Sequence, residues 1–394
     1  MSKFALHSPC NVNFFMYQKV FITRTSSFFP NEVVENDRME DFLGRIGGRP
    51  SRVKNIILRQ NGITGRYYAL DCDQRITHTN AQMAALAIGR LFKSQKEKEG
   101  VQLLACGTSS PDQNLPSQAS MVHGETFSHP LEIYSLAGVC LTGLAALKTA
   151  YMSVCMGNSD NAVVSMSELV SPSLLSKFFE EEYRREQEVS DHPAIAFEKD
   201  FLRYMLSDGA AALYLSNAPE KGALNLEIEF IHMKSFANRQ PACMYMWAEA
   251  MPDGSLKSWK EFDSRDVAEK SVWCIKQNVK LLNEYITRYF VDVIEEALNL
   301  FEVDTDEVTY VIPHISSMYF YNKLDEEFRS RGIDLPTSKW FTNLTWVGNV
   351  GSVAPFSALD ELLRTKPLKS GDGILVVVPE SGRFSFGVTL LRVI

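Results

Sequence analysis

The chain predicts a mixed α/β fold in two related halves, and three observations carry that prediction. Short apolar runs of strand length alternate with longer stretches of helical spacing, as buried strands covered by helices do. The order of elements recurs: a strand ending in Gly107-Thr-Ser-Ser110 is mirrored by one ending in His314-Ile-Ser-Ser317. The length, 394 residues, exceeds one typical domain. The division falls near residue 220, giving halves 17–220 and 221–394 with buried, largely parallel strands.

Taken in order, Tyr17–Thr23 reads as the opening strand, followed by a helix beginning near Asn36. Asn80 is placed to cap a helix over Ala81–Phe92, whose apolar residues recur at three- and four-residue spacing. Val101–Gly107, Asn161–Met166 and the run that follows Ser207-Asp-Gly are further strands. Residues 180–192 are charged and read as an exposed helical excursion. The second series opens at Leu224–Ile231. It continues through an amphipathic stretch, Val267–Leu300, and a strand at Val308, and closes on the hairpin Ile374–Val378 with Phe386–Leu391. Residues 1–16 lack a basic-then-apolar signal pattern. They read as a disordered extension, or as an over-long start with Met16 as initiator.

Composition narrows the function. Hydrophobic content of 45% and charged content of 22% are those of a globular protein. No run of eighteen apolar residues is present, which excludes a membrane-spanning helix. Seven cysteines, odd in number and without a C-x-x-C pair, fit a reducing cytoplasm and neither a disulfide framework nor a metal site. A net charge of −8 argues against a nucleic-acid binder. One segment runs against that charge: Gly44–Arg66 holds Arg45, Arg49, Arg52, Lys54, Arg59 and Arg66 and no acid. The overall composition predicts about two basic residues in such a window. It is either a solvated basic face or a dock for an acidic, phosphate-carrying partner.

Three residues carry chemistry. Cys140 follows an apolar strand and a glycine in Leu131-Glu-Ile-Tyr-Ser-Leu-Ala-Gly-Val-Cys140 and stands at the mouth of a helix. Unpaired amides at a helix start lower a thiol pKa and can hold the oxyanion of a tetrahedral intermediate. His314 ends a second apolar strand behind Pro313, and Asn349 lies in the glycine-flanked loop Trp346-Val-Gly-Asn-Val-Gly351. Imidazole and amide can both donate to a thioester carbonyl or enolate. A thiol, an imidazole and an amide so presented point to acyl-thioester chemistry and carbon–carbon bond formation. A cysteine protease also uses Cys, His and Asn, but the papain-like cysteine signature is missing here. The other six histidines have no such context.

These segments, with Ser207-Asp-Gly-Ala-Ala-Ala212 and the closing Val378-Pro-Glu-Ser-Gly-Arg-Phe-Ser-Phe-Gly387, resemble the thiolase-like ketosynthase III family over residues 17–394. Within it the chain looks most like the ketosynthase/cyclases of bacterial stilbene and dialkylresorcinol biosynthesis. The supporting stretches are Gly62–Asp71, Ser109–Ser117, Ala196–Arg203, Trp340–Thr345 and Pro379–Phe384. The resemblance implies a thiolase-like fold of two pseudo-duplicated halves layered α-β-α-β-α. It makes Cys140 the acylated nucleophile, flanked by His314 and Asn349, with the amides of Cys140 and Gly382 as oxyanion hole. It also implies a homodimer with no resident cofactor, since phosphopantetheine arrives on the acyl carrier protein.

Three departures from the family pattern refine this. Coenzyme-A-dependent initiators of the family carry a Trp, and four residues on an Arg, before the Gly-Ile of the first half; here those positions are Ile56 and Gln60. Losing an adenine-stacking aromatic favours acyl carrier protein as donor, docked on the basic segment. Relatives that couple two acyl chains place a Glu where this chain has Leu115, so that carboxylate base is missing. The triple-glycine loop reads Ser381-Gly382-Arg383 after Glu380, which brings polar side chains towards the pocket. The expected reaction condenses a β-ketoacyl thioester with an acyl-cysteine, and with an α,β-unsaturated partner a Michael addition closes a cyclohexanedione. The alternatives are an initiating ketosynthase III that uses malonyl-carrier protein, and a non-catalytic thiolase-fold partner subunit.

Overall fold

The apolar runs assemble into a nine-stranded sheet in the computed structural model, which describes residues 17–189 and 201–394. Its strands are β1 Phe21–Phe28, β2 Leu103–Thr108, β3 Glu132–Ala137, β4 Asn161–Glu168, β5 Gly209–Ser216, β6 Leu226–Ser235, β7 Val308–Pro313, β8 Gly373–Glu380 and β9 Ser385–Val393. They lie in the order β7-β8-β9-β6-β1-β5-β4-β2-β3. The extension 1–16, part of the 180–192 excursion and part of the stretch 196–203 fall outside the described residues.

One connectivity is used twice. From the middle outwards, the first half runs β1-β5-β4-β2 and the second β6-β9-β8-β7. In both, the first two pairings are antiparallel and the third is parallel. A fourth, parallel neighbour completes each half: β3 beside β2, and a single bridge from Trp340 to Val311 beside β7. The halves meet at a short seam, where Phe21 and Ile22 of β1 pair with Glu227 and Leu226 of β6. Residue 220 lies in the link between β5 and β6. Parallel strands do not dominate as expected: three of the eight pairings are parallel and five antiparallel. The four-residue link 381–384 forces β9 to run back along β8, while β5 runs back along β4 after the long connection 169–208, and apolar content reveals neither direction.

Helices cover both faces. Those that matter here are α1 Lys54–Asn61, α2 Asn80–Gly89, α3 Gln118–Thr126, α4 Thr142–Cys155, α5 Glu180–Val189, α6 Val279–Leu300, α7 Tyr319–Ser330 and α8 Ala354–Thr365. Side chains alternate across each strand, and the alternation sorts them into layers. Leu103 and Ala105 of β2 join α4 and α8 in a central cluster, as do Ile374, Val376 and Val378 of β8. Leu104 and Cys106 of β2 face α2 and α3, whereas Leu375 and Val377 of β8 face α6 and α7. The result is five layers, α-β-α-β-α, with α4 and α8 buried in the middle.

Local chemistry adjusts several boundaries. The cap of α2 is Thr79, whose hydroxyl accepts from Gln82 N–H while Gln82 returns the bond, and Asn80 is the first helical residue. The stretch 267–300 is not continuous: a short helix Ser264–Glu269 ends, residues 276–277 pair with 244–245, and Asn278 caps α6. The predicted excursion begins as α5, where Glu180 accepts from the Gly47 amide. Among the described residues no helix is long and apolar enough to cross a membrane.

Candidate active site

Repetition of the connectivity puts the chemistry-bearing residues at strand ends and helix starts in both halves. Cys140 lies in the loop before α4 and Asn349 in the corresponding loop before α8, while His314 directly follows β7. The starts of the two helices touch closely, since a Cβ on Gly143 would stand 2.7 Å from the Ser352 carbonyl oxygen. His314 shares the wall of a small void with Gly348, the neighbour of Asn349. All three side chains are buried.

Backbone bonds hold each one. The His314 N–H donates to Val377 O of β8 at 2.9 Å. Asn349 bonds both ways with the segment that leads into β5, donating to Met205 O and accepting from the Ser207 N–H. Its side-chain oxygen accepts from Gly351 N–H at 3.0 Å, which leaves the amide NH₂ to donate elsewhere. Gly348 is required at its position: φ is +76° and an added Cβ would meet Ser207 and Arg66 at about 3 Å.

Electrostatics correct one expectation. The Cys140 thiol pKa is raised, by burial first and then by the carboxylates of Glu380 and Glu168. The amides that flank it are the reason the loop gives so little help. Val139 N–H and Leu141 N–H both donate to Glu380 Oε2, at 3.0 and 3.2 Å, so they serve a carboxylate and not the sulfur. Burial likewise lowers the His314 pKa to about 4, leaving a neutral imidazole at physiological pH. At rest the Cys140 thiol and the His314 imidazole are therefore both uncharged and do not form a thiolate–imidazolium pair. Of the proposed oxyanion-hole donors, the Gly382 N–H has no protein acceptor among the described residues.

A cavity of about 450 Å³ adjoins this loop, with Gly138 and Val139 in its wall. Ser109, Asn114 and Val170 line it from the first half, and Met244 and Trp247 close it from the second. The two voids that border His314 measure about 10 and 30 Å³ and have room for no more than a water or two. Of these three cavities, the one on the Val139 side has room for a substrate of some length.

The remaining predicted residues divide. Ser381 faces the cavity wall, its hydroxyl 4.0 Å from the Met244 sulfur. Glu380 is partly buried against the Cys140 loop. Two pocket residues are misplaced by the sequence reading: Leu115 is 86% exposed, on a loop that turns outwards, and Arg383 is exposed with its Nε donating to Gln240 O. In the basic segment Arg45, Arg49, Arg52 and Arg59 are exposed, as a dock requires. Arg66 is not part of any such surface: it is fully buried, its Nη2 on Tyr204 O. Lys54 is largely covered and 3.7 Å from Glu40, which also lies 3.7 Å from Arg45.

Sequence reasoning missed Glu168. Its buried carboxylate accepts from the hydroxyls and amides of Ser109 and Ser352 and from the Ser110 hydroxyl, and so ties the end of β2 to the Asn349 loop. The available signal was the recurrence itself: β4 and β8 are both eight residues long and both end in Glu.

Comparison with known proteins agrees with this fold. Residues 298–393 match the family model for the 3-oxoacyl-[acyl-carrier-protein] synthase III C terminal. The β-ketoacyl-[acyl-carrier-protein] synthase III of Clostridium perfringens is 23% identical over 365 residues, covering 93% of this chain and 96% of the relative. Among solved structures, AbyA1, a tetronic acid condensing enzyme, superposes with a TM-score of 0.71 at 19% identity, covering 94% of this chain and 99% of its own. A cysteine-to-serine variant of OleA from Xanthomonas campestris, with bound lauric acid and lauroyl-CoA, gives 0.70 at 18% identity, covering 95% and 99%. By its C-terminal match, its full-length relatives and its thiolase-like fold, the chain is a carbon–carbon bond-forming acyltransferase related to β-ketoacyl-[acyl-carrier-protein] synthase III.

Proposed function

We propose that this acyltransferase is a ketosynthase/cyclase that condenses a β-ketoacyl thioester with an acyl group held on Cys140 and then closes a cyclohexanedione, the precursor of a resorcinol or stilbene. The observation that carries the reading is the position of Cys140, directly after Gly138 and Val139 in the wall of a 450 Å³ cavity. Cys140 is the nucleophile, and the amides of Cys140 and Gly382 receive the oxyanion. Neutral His314 and Asn349 donate to the thioester carbonyl and the enolate. Two adjacent carbonyls stabilise that enolate, so decarboxylation need not drive the condensation.

The acyl groups come from acyl carrier protein, whose acidic surface fits the exposed Arg45, Arg49, Arg52 and Arg59. Ile56, on helix α1 with Arg59 and 44% exposed, offers no ring on which an adenine could stack. No resident cofactor is invoked. A homodimer is supported by β3, an exposed strand at the edge of the sheet with β2 as its only strand partner among the described residues. A reducing compartment, the cytoplasm, suits a thiol nucleophile.

The C-terminal family match and the full-length relatives favour a second reading, an initiating synthase that joins a starter acyl group to malonyl-carrier protein. Incubation with acyl donor plus either β-ketoacyl- or malonyl-carrier protein separates the two. The cyclase gives a ring from the β-ketoacyl donor without stoichiometric carbon dioxide. A linear β-ketoacyl product with one carbon dioxide per turnover would establish the initiator.

A further inference from the structure

Strands β4 and β8 hold equivalent places in the two halves, and each ends in a carboxylate, Glu168 and Glu380. Each also reaches into the loop that leads into the central helix of the opposite half: Glu168 to Ser352 before α8, Glu380 to Val139 and Leu141 before α4. The pair is a built-in comparison. Glu168 is spent, because donors from three serines occupy both of its oxygens. Glu380 is not: its Oε2 takes the two amides that bracket Cys140, and its Oε1 has no partner among the described residues. That free oxygen lies 3.5 Å from where a Cβ on Gly382 would stand, beside the amide assigned to the oxyanion hole.

We propose that Glu380 is the base of the condensation, its Oε1 removing the α-proton of the β-ketoacyl substrate and afterwards returning it to the Cys140 sulfur. The inference rests on the acyl-cysteine reading and names the base which Leu115 cannot supply. The step balances. The C–H pair becomes the enolate as the proton moves to Oε1. The enolate carbon then bonds to the acyl carbon, the tetrahedral oxyanion collapses, and the C–S bond breaks with its electrons on sulfur. Glu380 then protonates that thiolate, so both residues end as they began.

Charge explains why the base should sit there. An ionised Glu380 opposes a second anion on Cys140 in the same buried site. Once it holds the α-proton it is neutral, and the one negative charge passes from carboxylate to enolate, oxyanion and sulfur in turn. Glu380 and the reacting atoms together never carry two during the condensation.

Hydrogen–deuterium exchange at the α-carbon tests this. The probe is a β-ketoacyl pantetheine analogue with a methylene in place of the thioester sulfur, incubated in D₂O with Cys140→Ala protein, which cannot be acylated. Exchange should be catalysed by that protein and fall at least about 100-fold when Glu380→Gln is added, with Glu380→Asp intermediate. In the single Glu380→Gln protein, acyl transfer to Cys140 should persist by intact mass, which also certifies the fold, while condensation falls by a similar factor. Exchange within threefold of the parent after Glu380→Gln overturns the proposal, as does Glu380→Asp exchanging as fast as Glu380. Failure of unmutated protein to become acylated sinks the acyl-cysteine reading instead, and the exchange assay does not depend on acylation.

Discussion

Burial sets the protonation of every reactive group in this site. His314 is pushed down to about 4 from an ordinary 6.5 by desolvation alone. Its folded pKa lies below its unfolded one, so the unfolded chain binds the extra proton between those values. The stability tied to a neutral His314 is complete above pH 6.5 and is lost as pH falls towards 4, about 3 kcal/mol in all. Burial raises the pKa of Glu168 and Glu380, which contribute the opposite slope above the ordinary carboxylate range. The imidazole is isolated by difference: urea melts from pH 4 to 7 should show a steeper loss of stability on acidification in unmutated protein than in His314→Asn. Parallel profiles would mean that the imidazole is solvated. The candidate triad was legible in the sequence because each member stands beside a turn-forming Gly or Pro at an element boundary. The thiol's protonation was not legible, since Glu380 lies 240 residues away in the chain and reaches the Cys140 loop only through the fold.

At the scale of elements, the site depends on how closely the starts of α4 and α8 approach. Glycine at 143 permits that approach, because a methyl group there would press on the Ser352 carbonyl and the Phe356 ring at 2.7 and 3.0 Å. Gly143→Ala should cost about 1–3 kcal/mol in a urea melt and slow acyl transfer to Cys140, since the helix carrying the nucleophile must shift from the Asn349 loop. Unchanged stability would show that the two helix starts are free to separate. Strand and helix positions were readable from apolar periodicity, as with β2, β7 and α4. Strand direction was not, because neither the short turn 381–384 between β8 and β9 nor the long connection 169–208 between β4 and β5 states in its sequence which way the next strand runs. Arg66 was misread for a related reason. Charge density along the chain places it with its basic neighbours, whereas the isolated pairing of 34–35 with 65–66 turns it into the core.

At the scale of the whole molecule, the exposed Arg45, Arg49, Arg52 and Arg59 oppose a net charge of −8. Replacing Arg49 and Arg52 by Glu should raise the KM for carrier-bound substrate at least about tenfold, with the effect shrinking as salt rises, and leave the KM for a pantetheine thioester unchanged. An equal effect on both substrates would remove the docking role. The exposed β3 edge predicts that the chain sediments at twice 44.5 kDa, about 89 kDa. Duplicated halves were legible from the recurrence of Ser-Ser after two strands, yet the use each half makes of its closing Glu emerged only from the assembled sheet. The central claim is that Cys140 carries the acyl group, and intact-mass spectrometry with peptide mapping after exposure to a panel of acyl-carrier thioesters tests it most directly. One acyl group per chain, confined to the Cys140 peptide and lost in Cys140→Ala, is the predicted result. No adduct with any donor, or an adduct on another cysteine, would contradict it.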